Sequence, residues 1–176
     1  MSFVPPEIPS PAPGRGRGLE LWLLAPGREE QFEARRSAFE GTGFALVLGA
    51  TDPPQQDWGA RLARAFGIPF AACPELDSAR AAETLAEVAE RAWTKLAHAL
   101  ATSPGPILAL LAPTVVQAAT ARGFGFALER CNALTVDPGR AVCLRDDPGG
   151  IALRRVNVRG HGSERLDAFF AHAPDA

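Results

Sequence analysis

Three short runs constrain the fold of this chain more than anything else in it: Leu19–Leu24 (LELWLL), Phe44–Gly49 (FALVLG) and Pro106–Leu111 (PILALL). Each is almost continuously apolar instead of alternating, and each is too short for a buried helix. A strand of that kind is covered on both faces, as a parallel strand is inside a layered sheet. Each run also ends in a turn and opens onto a helix-type pattern. Strands alternating with helices imply a mainly parallel sheet between two helical layers.

The helical segments follow from periodicity and stop signals. Glu29 to Phe39 carries a thin apolar stripe of Phe32, Ala34 or Arg35, and Phe39, and it ends at Gly41 or Gly43. The stretch ATDPPQQDWGARLARAFG opens a second helix. Thr51 or Asp52 stands where a cap is needed, and Trp58, Leu62, Ala65 and Phe66 form the inner face. IPFAACPEL reads as an extended link. The longest helix is expected over Ala79 to Ala101, with Ala82, Leu85, Ala86, Ala89, Trp93, Leu96 and Leu100 facing the core and Ser103-Pro104-Gly105 stopping it. Thr114–Ala121 follows the third run as a helix.

The turn chemistry then changes. NALTVDPGRAVCLRDDPGGIALRRVNV reads as three strands with turns at Pro138-Gly139 and Asp147–Gly150, adding antiparallel strands at a sheet edge. Ser163 to His172 reads as a short helix capped by Ser163. The expectation is an α/β chain, a three-layer α/β/α sandwich with a mainly parallel sheet. Residues 1–18 form a disordered Pro/Gly/Arg-rich tail and residues 19–176 a single domain.

Composition narrows the function classes. With 176 residues the chain can bury one sizeable core, and its net charge of −2 gives no basis for a nucleic-acid or anionic-membrane partner. No apolar run nears the roughly 20 residues that span a bilayer, and the N-terminal stretch lacks the apolar core of a secretory signal. The tail prolines could serve as a polyproline ligand, but a plain solvated tail is the simpler account. Cys73, Cys131 and Cys143 are odd in number, far apart and without metal-ligand spacing. They read as free, mostly buried thiols in a reducing cytoplasm, and neither a cofactor nor a metal is called for.

Ligands of such sheets sit beyond the carboxyl ends of the strands, here Ala25-Pro26-Gly27, Ala50-Thr51-Asp52 and Ala112-Pro113-Thr114. These turns hold almost nothing reactive. His98 and His172 read as surface residues and His161 as part of a glycine-flanked loop. Arg28, Arg61, Arg64, Arg154 and Arg155 could make a cationic patch, although scattered arginines are usually solvated helix faces. Asp146-Asp147 belongs to a hairpin turn, and Glu87–Arg91 has the spacing of an i,i+4 pair.

Order and spacing together resemble the histidine phosphatase superfamily, with its phosphoglycerate-mutase-like fold. LWLLAPGRE stands where that family has a strand ending in Arg-His-Gly. GATDPPQQDWGARLARAFGIPF resembles its second strand and helix, above all in LARAFGIPF. AACPELDS resembles the segment that carries its acidic residue. ILALLAPTVVQAA stands where the third strand ends in Ser-His-Gly-Gly, and NALTVDPGRAVCLRDDPGGIALRRVN resembles the closing strands. The likeness runs from about Leu19 to Asn157 and rests on scaffold segments.

The resemblance implies a catalytic centre, and this chain lacks it. Pro26 falls on the phosphorylated histidine, Ala25 on the arginine before it, Pro54 on the second arginine, Ser78 on the acid and Ala112 on the second histidine. Proline and alanine offer no lone pair for phosphoryl transfer and no fork for phosphate. The expectation is therefore a catalytically inactive member serving as a binding, regulatory or structural module. Its vestigial pocket would be lined by Gly27, Arg28, Thr51, Asp77 and Thr114. It would take an unknown protein partner or an uncharged small ligand, with a homodimer as a further option. Glu29 and Glu30 beside the turn would repel an anion. The alternative is a working phosphatase or phosphomutase with relocated residues, His161 or Asp77.

Overall fold

The structure, a computed structural model, describes residues 16–159. The chain runs β1 (Glu20–Leu24), α1 (Phe32–Phe39), β2 (Leu46–Gly49), α2 (Gln55–Phe66), β3 (Phe70–Ala72), α3 (Leu85–Thr102), β4 (Ile107–Leu110), α4 (Pro113–Phe124), β5 (Ala141–Asp147) and β6 (Gly150–Val158). Short 3-10 turns at Glu29–Gln31, Pro74–Leu76 and Leu128–Ala133 join them. The strands form a six-stranded sheet in the order β3-β2-β4-β1-β5-β6. β1, β2, β3 and β4 are parallel, while β5 runs antiparallel to β1 and β6 antiparallel to β5. This is the layered, mainly parallel architecture expected from the three apolar runs.

Strand alternation divides the core in two. Leu21, Leu23 and Ala25 face the layer of α3 and α4, against Val88, Trp93, Leu96 and Val116. Trp22 and Leu24 face α1 and α2, against Phe32, Phe39, Trp58 and Leu62. The rings on that side meet edge to face, Trp22 with Phe39 at 5.4 Å and Phe32 with Trp58 at 5.3 Å, which adds to the burial. All three cysteines are free and buried, and burial raises the Cys143 thiol far above its usual range.

Five local expectations are corrected. The long helix starts at Leu85, not Ala79. Ala82 has φ 65°, and Thr84 forms a capping box: its hydroxyl accepts from the Glu87 N–H at 3.3 Å, and the Glu87 carboxylate accepts from the Thr84 N–H at 2.8 Å. Ala82, Leu85 and Ala86 are thus exposed, and Val88, Ala92 and Ala99 join the inner face. With Glu87 so engaged, Arg91 pairs with Glu83 at 2.7 Å instead.

The second helix is capped by neither Thr51 nor Asp52. Its N-cap is Pro54, which has no side-chain cap, because those two side chains bond across to the segment after β3. The expected link is the edge strand β3, whose Phe70 ring lies where a Cβ on Gly49 or Gly59 would come within 2.8 or 2.5 Å. Two strands, not three, follow α4; the segment before β5 begins as a 3-10 turn and buries Leu134 and Val136 without a ladder.

At the start of the described residues, Gly18 N–H donates to Asp146 O at 2.7 Å. The Arg17 guanidinium donates to the carbonyls of Leu100 and Ala101 at 2.8 and 3.0 Å, covering carbonyls at the end of α3. The rest of the expected tail and the expected helix at Ser163 to His172 lie outside the described residues. Among the described residues no helix is long and apolar enough to cross a membrane.

Candidate functional site

β1, β4 and β2 are neighbours, and their carboxyl ends are level: Leu24 pairs with Leu110, which also pairs with Gly49. Leu111 N–H donates to Leu24 O at 3.0 Å and Ala50 N–H to Leu110 O at 3.1 Å. Pro26 and Ala112 each stand two residues beyond that last pair, past the end of the ladder.

The turn after β1 is packed shut. Ala25 is fully buried, its N–H donates to Arg140 O at 2.9 Å, and its carbonyl accepts from Gly139 N–H at 2.7 Å. Pro26 is buried as well. A Cβ on Gly27 would fall 1.9 Å from Gln31 Oε1 and 3.0 Å from the Gly139 backbone, so close approach alone requires a glycine there. Arg28 is exposed, and its N–H donates to Gln31 Oε1 at 3.0 Å.

Glu29, expected to repel anions, is instead neutralised. Arg61 holds it through two hydrogen bonds of 2.7 and 2.9 Å and stacks 3.7 Å over the Phe32 ring. That pairing keeps the Glu29 carboxyl below its usual range.

The turn after β2 is tied to the segment after β3. Asp77 accepts from the Thr51 N–H at 2.5 Å and from its hydroxyl at 2.7 Å, and Asp52 accepts from the Ser78 N–H at 2.8 Å. Arg91 steadies the same segment from below, donating to the carbonyls of Glu75 and Asp77 at 2.5 and 3.2 Å. Its partner Glu83 is held at about pKa 2, down from 4.5, by the hydrogen bonds from Arg91 and the Arg80 N–H. Thr51 and Asp77, two of the three hydroxyl- or carboxylate-bearing residues expected at the pocket, thus spend polar atoms on each other. Ser78, Pro54 and Thr114 are exposed, and Ala112 and Pro113 open α4 without a side-chain cap.

The arginines weighed as a cationic patch are engaged separately or exposed. Arg61 is bound to Glu29 and Asp57, Arg154 to Asp147, and Arg155 lies 5.5 Å over the Trp22 ring. Arg28 and Arg64 are exposed. Arg35, which the sequence offered for the apolar stripe but not as a functional residue, is buried on α1 and donates to Arg159 O at 2.6 Å. The signal was present: Arg35 falls three residues after Phe32 and four before Phe39, on the apolar stripe itself. Among the described residues no group of three or more metal-ligating side chains comes together.

Neither a family model nor a curated protein matches the chain. Solved structures do. The alpha-ribazole phosphatase of Shigella flexneri superposes with a TM-score of 0.68 at 18% identity, over 83% of this chain and all of that one. The fold is that of the histidine phosphatases. A mycobacterial glucosyl-3-phosphoglycerate phosphatase superposes with a TM-score of 0.69 at 14% identity, over 81% of this chain and all of that one. A mutant phosphoserine phosphatase from Entamoeba histolytica in complex with phosphoserine has a TM-score of 0.67 at 8% identity, over 82% of this chain and 99% of that one. In this histidine-phosphatase fold, the strand ends where the family resemblance put two histidines carry Pro26 and Ala112.

Proposed function

We propose that the chain is a histidine-phosphatase-fold protein without phosphoryl-transfer chemistry, retained as a binding, regulatory or structural module. The observation that carries this is that Pro26 and Ala112 each stand two residues beyond Leu24 and Leu110, the paired ends of β1 and β4. Neither side chain has a lone pair to attack phosphorus. The positions taken from the resemblance for phosphate-binding arginines hold Ala25, which is buried, and Pro54. Losing one nucleophile costs roughly a millionfold where catalytic residues act as a unit, and here every member of the set is replaced.

The floor of the vacated centre is apolar, made of Ala25, Pro26 and Ala112. It suits a protein segment or an uncharged ligand better than a phosphoester. Three buried free thiols fit a reducing, cytoplasmic setting. The mycobacterial relative has also been solved with VO3 and with inorganic phosphate, so oxyanion chemistry is the property against which this chain is to be measured. A working phosphatase with relocated residues is the competing view. It loses support at Asp77, which is engaged by Thr51, and its other candidate, His161, lies outside the described residues.

The test is direct. Purified protein incubated with p-nitrophenyl phosphate is expected to show no turnover above buffer and no acid-labile phosphohistidine. Turnover that disappears in His161→Ala would establish the competing view instead.

A further inference from the structure

The rim of the sheet carries a second feature, two strands away from β4. Arg140 directly precedes β5 and Arg159 directly follows β6. Ala141 pairs with Val158, so the two arginines flank the last pair at the open end of that ladder. Arg35 reaches them from α1, its Nη1 donating to Arg159 O at 2.6 Å. Arg35 is only 8% exposed, and its Nε has no partner.

Nothing among the described residues balances these charges. Arg36, Arg61, Arg91, Arg122, Arg145 and Arg154 each pair with a carboxylate. Arg35, Arg140 and Arg159 do not. The acidic residue of the same turn, Asp137, is turned to Asn157, whose amide donates to it at 3.0 Å. Burial, and then the positive charges of Arg140 and Arg159, pull the Arg35 guanidinium below its ordinary range. A buried cation with an idle donor and two like charges beside it is costly unless an anion joins it.

We propose that Arg35, Arg140 and Arg159 form an oxyanion site that takes a compact dianionic group of the phosphoryl type, free or carried on a small molecule. Planar guanidinium forks match such a group, and a cluster of three favours a dianion over a single carboxylate. The site lies beside the vacated centre, not in it. Arg140 O accepts the N–H of Ala25, which links the two places through one hydrogen bond. The site needs no catalysis, so it stands apart from the function proposed above.

The experiment is calorimetry on the full chain at constant ionic strength, with inorganic phosphate, pyrophosphate and acetate as probes. Phosphate is expected to bind at one site, pyrophosphate at least as tightly, and acetate more weakly than either. Arg140→Gln and Arg159→Gln should each weaken phosphate by roughly tenfold or more, with Arg64→Gln unchanged. Both sites of change are partly or fully exposed, so these variants test the idea even if Arg35→Met fails to fold. In phosphate-free buffer Arg140→Gln should be at least as stable as the starting protein, since it relieves repulsion; a merely structural arginine would lower stability.

Absence of phosphate binding overturns the proposal. So does binding lost in Arg28→Gln but kept in Arg140→Gln and Arg159→Gln, which would seat the anion at the β1 turn. Binding that emerges only after Glu164→Gln and Asp167→Asn would show that the chain's own carboxylates fill the site, and would overturn it too. Phosphate bound without turnover leaves the proposed function intact, whereas turnover would sink that function and leave this site standing.

Discussion

Two stretches of one sheet rim differ sharply. Over β2, β4 and β1 the strand ends carry Thr51, Ala112 and Pro26, and their polar atoms are used internally, as in the Thr51–Asp77 pair. Over β5 and β6 the ends carry Arg140 and Arg159 near the buried Arg35, whose Nε is left over. On the reading proposed above, the first stretch has the position of an active site without its chemistry, and the second carries an oxyanion site. β1 and β4 are buried along nearly their whole length, whereas β6 is mostly half-buried, and the contrast at the rim lies in the last residue or two of each strand. On the proposed reading a rim can lack reactive groups without loss of fold, because those groups sit beyond the ladder that holds the sheet.

The largest expected effect tests that last point. Leu110→Ala, in the fully buried end of β4, should cost about 2–5 kcal/mol in chemical denaturation. Ala112→Ser, two residues further on, should stay within about 0.5 kcal/mol. Equal costs would mean that the rim is as structural as the core and that the contrast is false.

Next in size is the latch. Asp77→Asn removes the acceptor that serves both the N–H and the hydroxyl of Thr51, and should cost about 1–3 kcal/mol. Thr51→Val should cost no more, since it keeps the backbone donor paired. If Asp77→Asn proves neutral in stability but creates or abolishes ligand binding, the emptied rim is functional after all.

A smaller effect is expected from partial restoration. Pro26→His with Ala112→His puts one imidazole two residues beyond the end of each of two neighbouring strands. The folded double variant should gain about tenfold in vanadate affinity by calorimetry, the worth of one or two charge-assisted hydrogen bonds. Ala25 is left unchanged because it is fully buried against the core. A folded variant with no gain would show that the two positions do not converge on one ligand.

The smallest effect concerns acid. Glu83 has its folded-state pKa lowered from 4.5 to about 2. A depressed carboxyl contributes stability that is present above its unfolded value and lost as pH falls through the folded one. The contribution should therefore fade between about pH 4.5 and about pH 2. In urea titrations across that window, Glu83→Gln should flatten the decline relative to the starting protein. An unchanged slope would mean that the Arg91 bridge does not hold the segment bearing Asp77.

Much of this was legible in the chain. The apolar runs announced β1, β2 and β4, and a resemblance carried on scaffold segments led to the fold that the superposed phosphatases share. That Pro26 and Ala112 follow the ends of β1 and β4 was readable from residue identity alone; that they leave the site inactive is the reading proposed above. β3 was not, since FAA is too short to carry a pattern and becomes a strand only by pairing with β2. The start of α3 could have been read, because Thr84 and Glu87 spell a capping box; the alanine-rich stretch before it hid the boundary.

By itself the sequence determined the layered class, the two-faced burial of the central strands and which residues stand at the strand ends, because each follows from the identity of residues near one another in the chain. Only the tertiary structure decided which polar groups are spent and which are spare. Thr51 and Asp77 are 26 residues apart, and Arg35 and Arg159 are 124 apart. Whether an arginine is solvated, paired or buried with an idle donor is settled by what the fold brings beside it, and no local pattern carries that information.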